Sequence, residues 1–242
     1  LEFYVGLFGT LKCGAVAVSC STLFGSEAME YRLRDSGAKL VIMPREKAKT
    51  LDKAIVKNII EVEDLISYIK DERITYRHNT TVDDLAILQY TSGTTGKPRP
   101  IPYRHKSLVN LVPAAVFGYG IRAEDRYFCP SPVAWGHGIW AGTMAPLMFG
   151  VTCHVCSGKF DPSIILKALE DFKINNISII PTAIRKILAT ENIDEYSLNV
   201  QKLSYTGEAL DLKTSYEVKK VFGVEPHNIY GSTEVGVIIL DY

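Results

Sequence analysis

A chain of 242 residues, 47% apolar and 22% charged, has the composition of a folded globular protein and excludes a disordered or collagen-like one. Lys plus Arg and Asp plus Glu each number 27, so the formal net charge is zero and the basic footprint of a non-specific nucleic-acid binder is missing. At about 150 residues per domain, the length allows one large domain or two small ones, with roughly 70% of the extended surface buried.

The chain opens at Leu1 inside an apolar helical pattern, Phe3, Leu7, Phe8 and Leu11. No apolar run reaches the roughly 18 residues of a membrane span, and no signal-peptide pattern precedes the first helix. Strands are expected at Ala15–Ser19, Lys39–Met43 and Ile59–Val62. Glu27–Ser36 reads as a helix capped by Ser26 and ended by Gly37. The polar stretch Lys70–Asp84 is the best candidate for a linker, which suggests a first α/β subdomain over 1–80 and a second over 81–242.

Further strands are expected at Leu85–Tyr90, Tyr127–Cys129, Val151–Val155, Ile177–Ile180, Lys202–Tyr205 and Ile229–Tyr230. Several are continuously apolar, as strands covered on both faces are. Asp161–Lys173 reads as a helix with Asp161 as cap and Pro162 in its first turn, and Leu210–Phe222 as another, ended by Gly223. The alternation predicts an α/β fold with largely parallel sheets flanked by helices in two subdomains. The apolar run Val235–Leu240 lies close to the end, and both ends read as cuts in a longer protein. Five cysteines fit a reducing, cytoplasmic setting better than a disulfide scaffold.

Thr91-Ser92-Gly93-Thr94-Thr95-Gly96-Lys97 follows the apolar strand Leu85–Gln89 and is the most informative segment. Glycines let backbone N–H groups approach phosphate oxygens, hydroxyls donate further bonds, and Lys97 adds charge. The alternative is a Ser/Thr/Gly surface turn. It is not a Walker A loop: two residues, Thr94 and Thr95, separate Gly93 from Gly96, and Pro98 stands where a metal-binding hydroxyl would be. Two later segments suit a nucleotide. Tyr230-Gly231-Ser232-Thr233-Glu234 offers a ring to stack, a hydroxyl and a hard oxygen ligand. It also reads as a capped turn with a solvated Glu234. The turn Gly207-Glu208-Ala209 is weak on its own, since Gly-Glu is common at strand ends.

Together, in this order, these segments resemble the adenylate-forming (AMP-binding) superfamily of acyl-CoA synthetases, peptide-synthetase adenylation domains and luciferases. The resemblance covers essentially the whole chain and implies its N-terminal domain, with the small C-terminal domain absent. It implies that Thr91–Lys97 bind the ATP phosphates and that Gly207, Glu208, Ala209, Tyr230 and Thr233 hold the adenylate. It further implies that Glu234 holds Mg²⁺, and that Lys97, Thr233 and Glu234 carry the catalysis. One departure is Pro98-Arg99-Pro100 where the family has Pro-Lys-Gly, which implies a stiffer loop exit.

The resemblance places the acyl pocket at Trp135, His137, Gly138 and Gly231. Acetyl-CoA synthetases carry Trp where Gly231 stands, so Gly231 implies open space and a larger acid: medium-chain, branched or aryl. A core-filling Trp135 and a hydrogen-bonded His137 are the alternatives. His105 matches a His that the family often carries. Cys153-His154-Val155-Cys156 lacks a second ligand pair for zinc and reads as two small buried cysteines on a strand.

The resemblance thus implies a cytoplasmic, AMP-forming acid–thiol ligase of fatty acid metabolism. It would use ATP, Mg²⁺ and CoA on a small-molecule carboxylic acid, with no nucleic acid and no membrane span. This piece would be inactive by itself. The alternatives are an adenylation domain that loads a carrier protein and a nucleotide-binding fragment without catalysis. Oligomeric state leaves no signal in the sequence.

Overall fold

The computed structural model describes residues 1–69, 79–91, 96–156 and 158–241. The chain divides into two units, Leu1–Lys106 and Ser107–Tyr242.

In the first unit, β1 (Ala17–Val18) pairs parallel with β4 (Leu85–Thr91), and β4 pairs antiparallel with β5 (Arg99–Arg104). A separate parallel pair joins β2 (Leu40–Met43) to β3 (Asn58–Glu61). The helix Ser26–Ser36 buries Met29 and Leu33 against Met43, Ala48, Leu51 and Val56. Its end follows the chemistry of glycine. Gly37 sits at φ 62°, and the Gly37 and Ala38 N–H groups return to the Arg34 and Leu33 carbonyls. Its start differs from expectation: Ser26 is the first helical residue, Gly25 precedes it as N-cap, and no side chain caps the turn.

The expected boundary after residue 80 also differs, because β4 is bonded to β1 on one side and β5 on the other, so the strand entering the phosphate segment belongs to the first unit. Lys70–His78 of the proposed linker lie outside the described residues, and Thr81–Asp84 are tied to the end of β5 by a His105 N–H to Asp84 carbonyl bond of 3.1 Å. The strand β5 was not expected, since Pro100 and Pro102 argue against a strand. It survives as an edge strand, where an N–H can be missing on the side away from the neighbour.

The second unit is built on one six-stranded sheet. Its strands are β6 (Arg126–Phe128), β7 (Thr152–His154), β8 (Asn176–Ile179), β9 (Lys202–Thr206), β10 (Pro226–Ser232) and β11 (Gly236–Leu240). Their order is β11-β10-β9-β8-β6-β7, parallel throughout except for the β10–β11 hairpin. Side chains alternate between the two faces. One face packs Phe128, Ile177, Ile179 and Leu203 against the apolar stripes of helices Pro162–Asp171, Pro181–Leu188 and Leu212–Phe222. Asp161 caps the first of these helices at the Ser163 N–H, and Asp211 caps the last at the Thr214 N–H.

The opposite face is buried but polar. Asn176, Ser178 and Ser204 are 0%, 0% and 3% exposed. Asn176 donates to the Tyr119 carbonyl at 2.9 Å and to Asp125 at 3.0 Å, while Lys202 donates to Asp125 and to the Gly120 carbonyl, both at 2.7 Å. The backbone over this face contains two π-helical stretches, Ala114–Gly118 and His137–Met144.

Candidate active site

The chain runs from β6 out to β7, then returns to place β8 on the other side of β6. Such a reversal opens a crevice beyond the carboxyl ends of the strands, where α/β sheets bind ligands. The expected site residues of the second unit gather at those ends. Trp135–Gly138 follow β6, Gly207–Ala209 follow β9, and Tyr230–Glu234 occupy the end of β10 and the turn into β11.

His137 is held on both sides. Its Nδ1 lies 2.8 Å from Ser131 Oγ in the loop after β6, and its Nε2 lies 2.9 Å from Ser178 Oγ on β8. Burial pushes its pKa down to about 4, so the ring is neutral near pH 7. A neutral imidazole has one donor and one acceptor, so one serine hydroxyl donates to it and the other accepts from it. Both ring nitrogens are therefore engaged. Ser131 and Ser178 escaped the sequence reading, since an isolated serine carries no spacing signal. Trp135 stays 48% exposed in the same loop and offers an apolar surface.

Gly231 was expected to leave open space, but both it and Gly138 are crowded by backbone. A Cβ on Gly138 would lie 2.1 Å from the Pro132 carbonyl oxygen, and one on Gly231 would lie 2.1 Å from that of Gly236. Both exist because backbone passes close by: the loop after β6 in one case, the β11 strand in the other. The Gly231 contact coincides with an irregularity in register between Tyr230 and Gly231.

Gly207 leaves β9 at φ 95°, a conformation that favours glycine. The Glu208 carboxylate was expected at the adenylate but is taken up by protein. It accepts from the Thr182 N–H at 3.1 Å, from the Thr182 hydroxyl, and from Arg185 at 3.4 Å. The Thr182 hydroxyl above all holds its pKa below the usual range. Arg185 also donates to the Ala209 carbonyl and to Asp211. The turn is thereby stapled to the first turn of helix Pro181–Leu188, where a carboxylate also meets the positive end of the helix dipole. Tyr230 is 59% exposed on β10, with a ring able to stack on a flat ligand. Thr233 and Glu234 lie in the hairpin turn, Thr233 half-buried and Glu234 exposed.

In the first unit, Thr91 ends β4 opposite Arg99, and the phosphate segment connects the two strands. Ser92, Gly93, Thr94 and Thr95 lie outside the described residues. Gly96 sits at φ 86°, and Lys97 is exposed. His105 Nε2 is buried with no hydrogen-bond partner among the described residues.

The cysteine pair was expected to be buried. Cys153 is half-buried, with Sγ 3.8 Å from the Thr143 carbonyl and its thiol pushed up to about 11 by burial, but Cys156 lies past the end of β7 and is exposed. Among the described residues no group of three His, Cys, Asp or Glu side chains could hold a metal by itself.

The AMP-binding enzyme family matches residues 1–242, and the chain belongs to that family. The acyl–CoA ligase YtcI of Bacillus subtilis, itself uncharacterised, is 29% identical over 99% of this chain and 47% of its own length. The acetyl-coenzyme A synthetase of the same organism is 26% identical over 97% of this chain and 44% of its own. Gramicidin S synthase 2 of Brevibacillus brevis is 28% identical over 98% of this chain and 5% of its own.

Among solved structures, the acyl-CoA synthetase of Brucella canis superposes with a TM-score of 0.88 at 22% identity, covering 100% of this chain and 47% of the other. The anthranilate CoA ligase AuaEII, solved with anthranoyl-AMP, superposes with a TM-score of 0.87 at 25% identity, covering 96% and 47%. The chain thus spans about half the length of its acyl-CoA ligase relatives. No helix among the described residues is long and apolar enough to cross a membrane.

Proposed function

We propose that this chain is the nucleotide-binding part of an ATP-dependent carboxylate–CoA ligase that forms an acyl adenylate and then an acyl-CoA. The observation that carries the reading is the gathering of Gly207, Tyr230 and the Thr233–Glu234 turn beyond the carboxyl ends of two neighbouring parallel strands. Family membership and acyl-CoA ligase relatives along the whole chain support it. The acid is proposed to be medium-chain, branched or aryl. Exposed Trp135 supports this; Gly231 no longer does, since its missing side chain is explained by β11.

In this reading a carboxylate oxygen attacks the α-phosphorus of ATP and displaces pyrophosphate. The CoA thiol then attacks the acyl carbon and releases AMP. An anion approaches a polyanion, so positioning and charge neutralisation dominate. Lys97 and the loop N–H groups hold the β- and γ-phosphates, Thr233 orients the α-phosphate, and Tyr230 stacks on adenine. Gly207 and Ala209 meet the base through backbone, the Glu208 side chain being engaged with Thr182 and Arg185.

Mg²⁺ fits the donor set: it is commonly bound by one or two carboxylates plus substrate phosphates, and Glu234 supplies one exposed carboxylate. When bound, it neutralises phosphate charge. A second reading, an adenylation domain that loads a carrier protein, is favoured by the gramicidin S synthase match.

The test is ATP–pyrophosphate exchange with a panel of acids, followed by transfer to CoA or to a phosphopantetheinyl carrier protein. The complete polypeptide carrying this chain is the subject. Lys97→Ala and Glu234→Ala are each expected to lose about 2–4 kcal/mol of transition-state stabilisation, some 30- to 900-fold in rate, with circular dichroism unchanged. The 242-residue chain assayed alone is expected to form little adenylate. Near-parental exchange in both variants overturns the assignment, and transfer to a carrier rather than to CoA selects the second reading.

A further inference from the structure

Helix Ser26–Ser36 touches the phosphate hairpin at both of its stems. Tyr31 and Asp35 are four residues apart and so share a helix face. The Tyr31 hydroxyl donates to the Pro98 carbonyl at 3.1 Å, on the exit stem. The Tyr90 hydroxyl, on the entry stem, donates to the Asp35 carboxylate at 2.6 Å. The two tyrosine rings meet edge to face, 6.5 Å between centroids at 79°. Arg32, buried between them and the core, lies 4.1 Å over the Phe24 ring and 5.5 Å over that of Tyr90. Burial and the neighbouring Asp35 hold the Tyr90 phenol protonated, as a donor must be.

The chemistry of these contacts explains why side chains are needed. Proline has no N–H, so the Pro98 carbonyl is the one main-chain group by which that residue can be tethered. The β4–β5 register ends at Thr91 and Arg99, so Tyr90 and Pro98 stand at the two ends of the segment. The helix that does the tethering is itself fixed by Met29 and Leu33 in the core.

We propose that Tyr31 and Asp35 are positioning residues for the phosphate loop: they clamp its two stems to one rigid helix and thereby set its ATP affinity. The inference rests on the reading of Thr91–Pro98 as the phosphate loop. Asp35 is exposed and Tyr31 half-buried, so the clamp contributes to the geometry of the loop far more than to stability.

The test measures KM for ATP, KM for the acid and the thermal midpoint in the complete enzyme, using pyrophosphate exchange. Tyr31→Phe removes one bond and keeps the ring; Asp35→Ala removes the other. Each is expected to raise KM for ATP about five- to tenfold, the equivalent of one net hydrogen bond, while KM for the acid stays within about twofold. Asp35→Asn keeps an acceptor for the Tyr90 hydroxyl and should restore most of the loss. A midpoint near that of the parent separates this outcome from a merely structural one. Parental exchange with unchanged KM for ATP in both variants overturns the clamp alone, as does a matching rise in both KM values with a lowered midpoint. An absence of exchange in the parent overturns the functional reading itself, and the clamp with it.

Discussion

The two units hold their candidate site residues by different means. In the second unit, Gly207 and Tyr230 stand at the ends of strands whose register is fixed by neighbouring strands, and the sheet is anchored beneath by a buried polar network around Asp125. In the first, Lys97 is exposed, and Tyr90 and Pro98 on either side of the phosphate segment are tied to a helix by two tyrosine hydroxyls. A sheet positions its residues through many bonds at once, so no single side chain on it controls geometry without also controlling stability. Side-chain bonds at the ends of a segment can be removed one at a time while the strands remain paired. Variants in the buried polar network of the sheet should therefore fail as folds, and variants at the loop stems should fail as sites.

The largest expected effect tests the first half of that contrast. The Asp125 side chain is 1% exposed and accepts from Lys202 at 2.7 Å, Asn176 at 3.0 Å, Asn175 at 3.3 Å and the Arg122 N–H at 2.9 Å. Asp125→Ala strips the partner from Lys202 and leaves Asn176 short of an acceptor. Breaking a fully buried pair costs about 3–5 kcal/mol; Lys202 is a third exposed and keeps the Gly120 carbonyl, which puts the expected loss at about 2–3 kcal/mol. Chemical denaturation should show that loss, against less than about 1 kcal/mol for Tyr31→Phe. Similar losses for the two variants would erase the distinction between the units.

A smaller effect is expected at Gly231. Its Cβ would sit 2.1 Å from the Gly236 oxygen, so Gly231→Ala must push β11 away from β10, at about 1–3 kcal/mol, the usual range for overpacking. The comparison is with Gly96, where an added Cβ meets no atom of the described residues and the φ of 86° is what resists. There, Ala should cost about 1–2 kcal/mol. If Gly231→Trp folds with parental stability and narrows the acid range toward acetate, then the hairpin yields readily and Gly231 borders the acyl pocket after all.

The elements legible in the sequence were those with local causes. Helix ends followed from Gly37, Gly223 and Asp161, and the buried strands from apolar runs such as Ile177–Ile180. The nucleotide segments were legible because glycine, hydroxyl and charge crowd into few residues. What escaped were features made by distant partners. β5 was masked by Pro100 and Pro102, which only its edge position makes acceptable. The roles of Gly138 and Gly231 depend on backbone that arrives from elsewhere, and glycine reads alike whether it makes room for a ligand or for a strand. The partners of the Glu208 carboxylate, Thr182 and Arg185, stand more than twenty positions earlier in the chain, where no local pattern announces them. The polar face of the sheet hid in strands such as Asn176–Ile179, where Asn176 and Ser178 alternate with isoleucine.

The smallest expected effect concerns His137, which belongs to that polar face yet lies within the candidate site. Its folded pKa of about 4 lies below the ordinary 6.5, because burial disfavours the charged ring. Between those values the unfolded chain binds a proton that the folded chain does not, so stability rises with pH across the window and is lost on acidification. The maximal slope is about 1.4 kcal/mol per pH unit. From pH 7 to pH 5.5 the loss from this one group should be about 1 kcal/mol. Other groups titrate as well, so the diagnostic quantity is the difference between the parent and His137→Gln. Glutamine keeps one donor and one acceptor for Ser131 and Ser178 but carries no titrating proton. Denaturation midpoints should fall more steeply for the parent than for the variant between pH 7 and 5.5, and run parallel above pH 7.5. Parallel curves through the whole range would mean that the imidazole charges in place, and that the crevice around it is wetter and more open to a ligand than its two serine contacts imply.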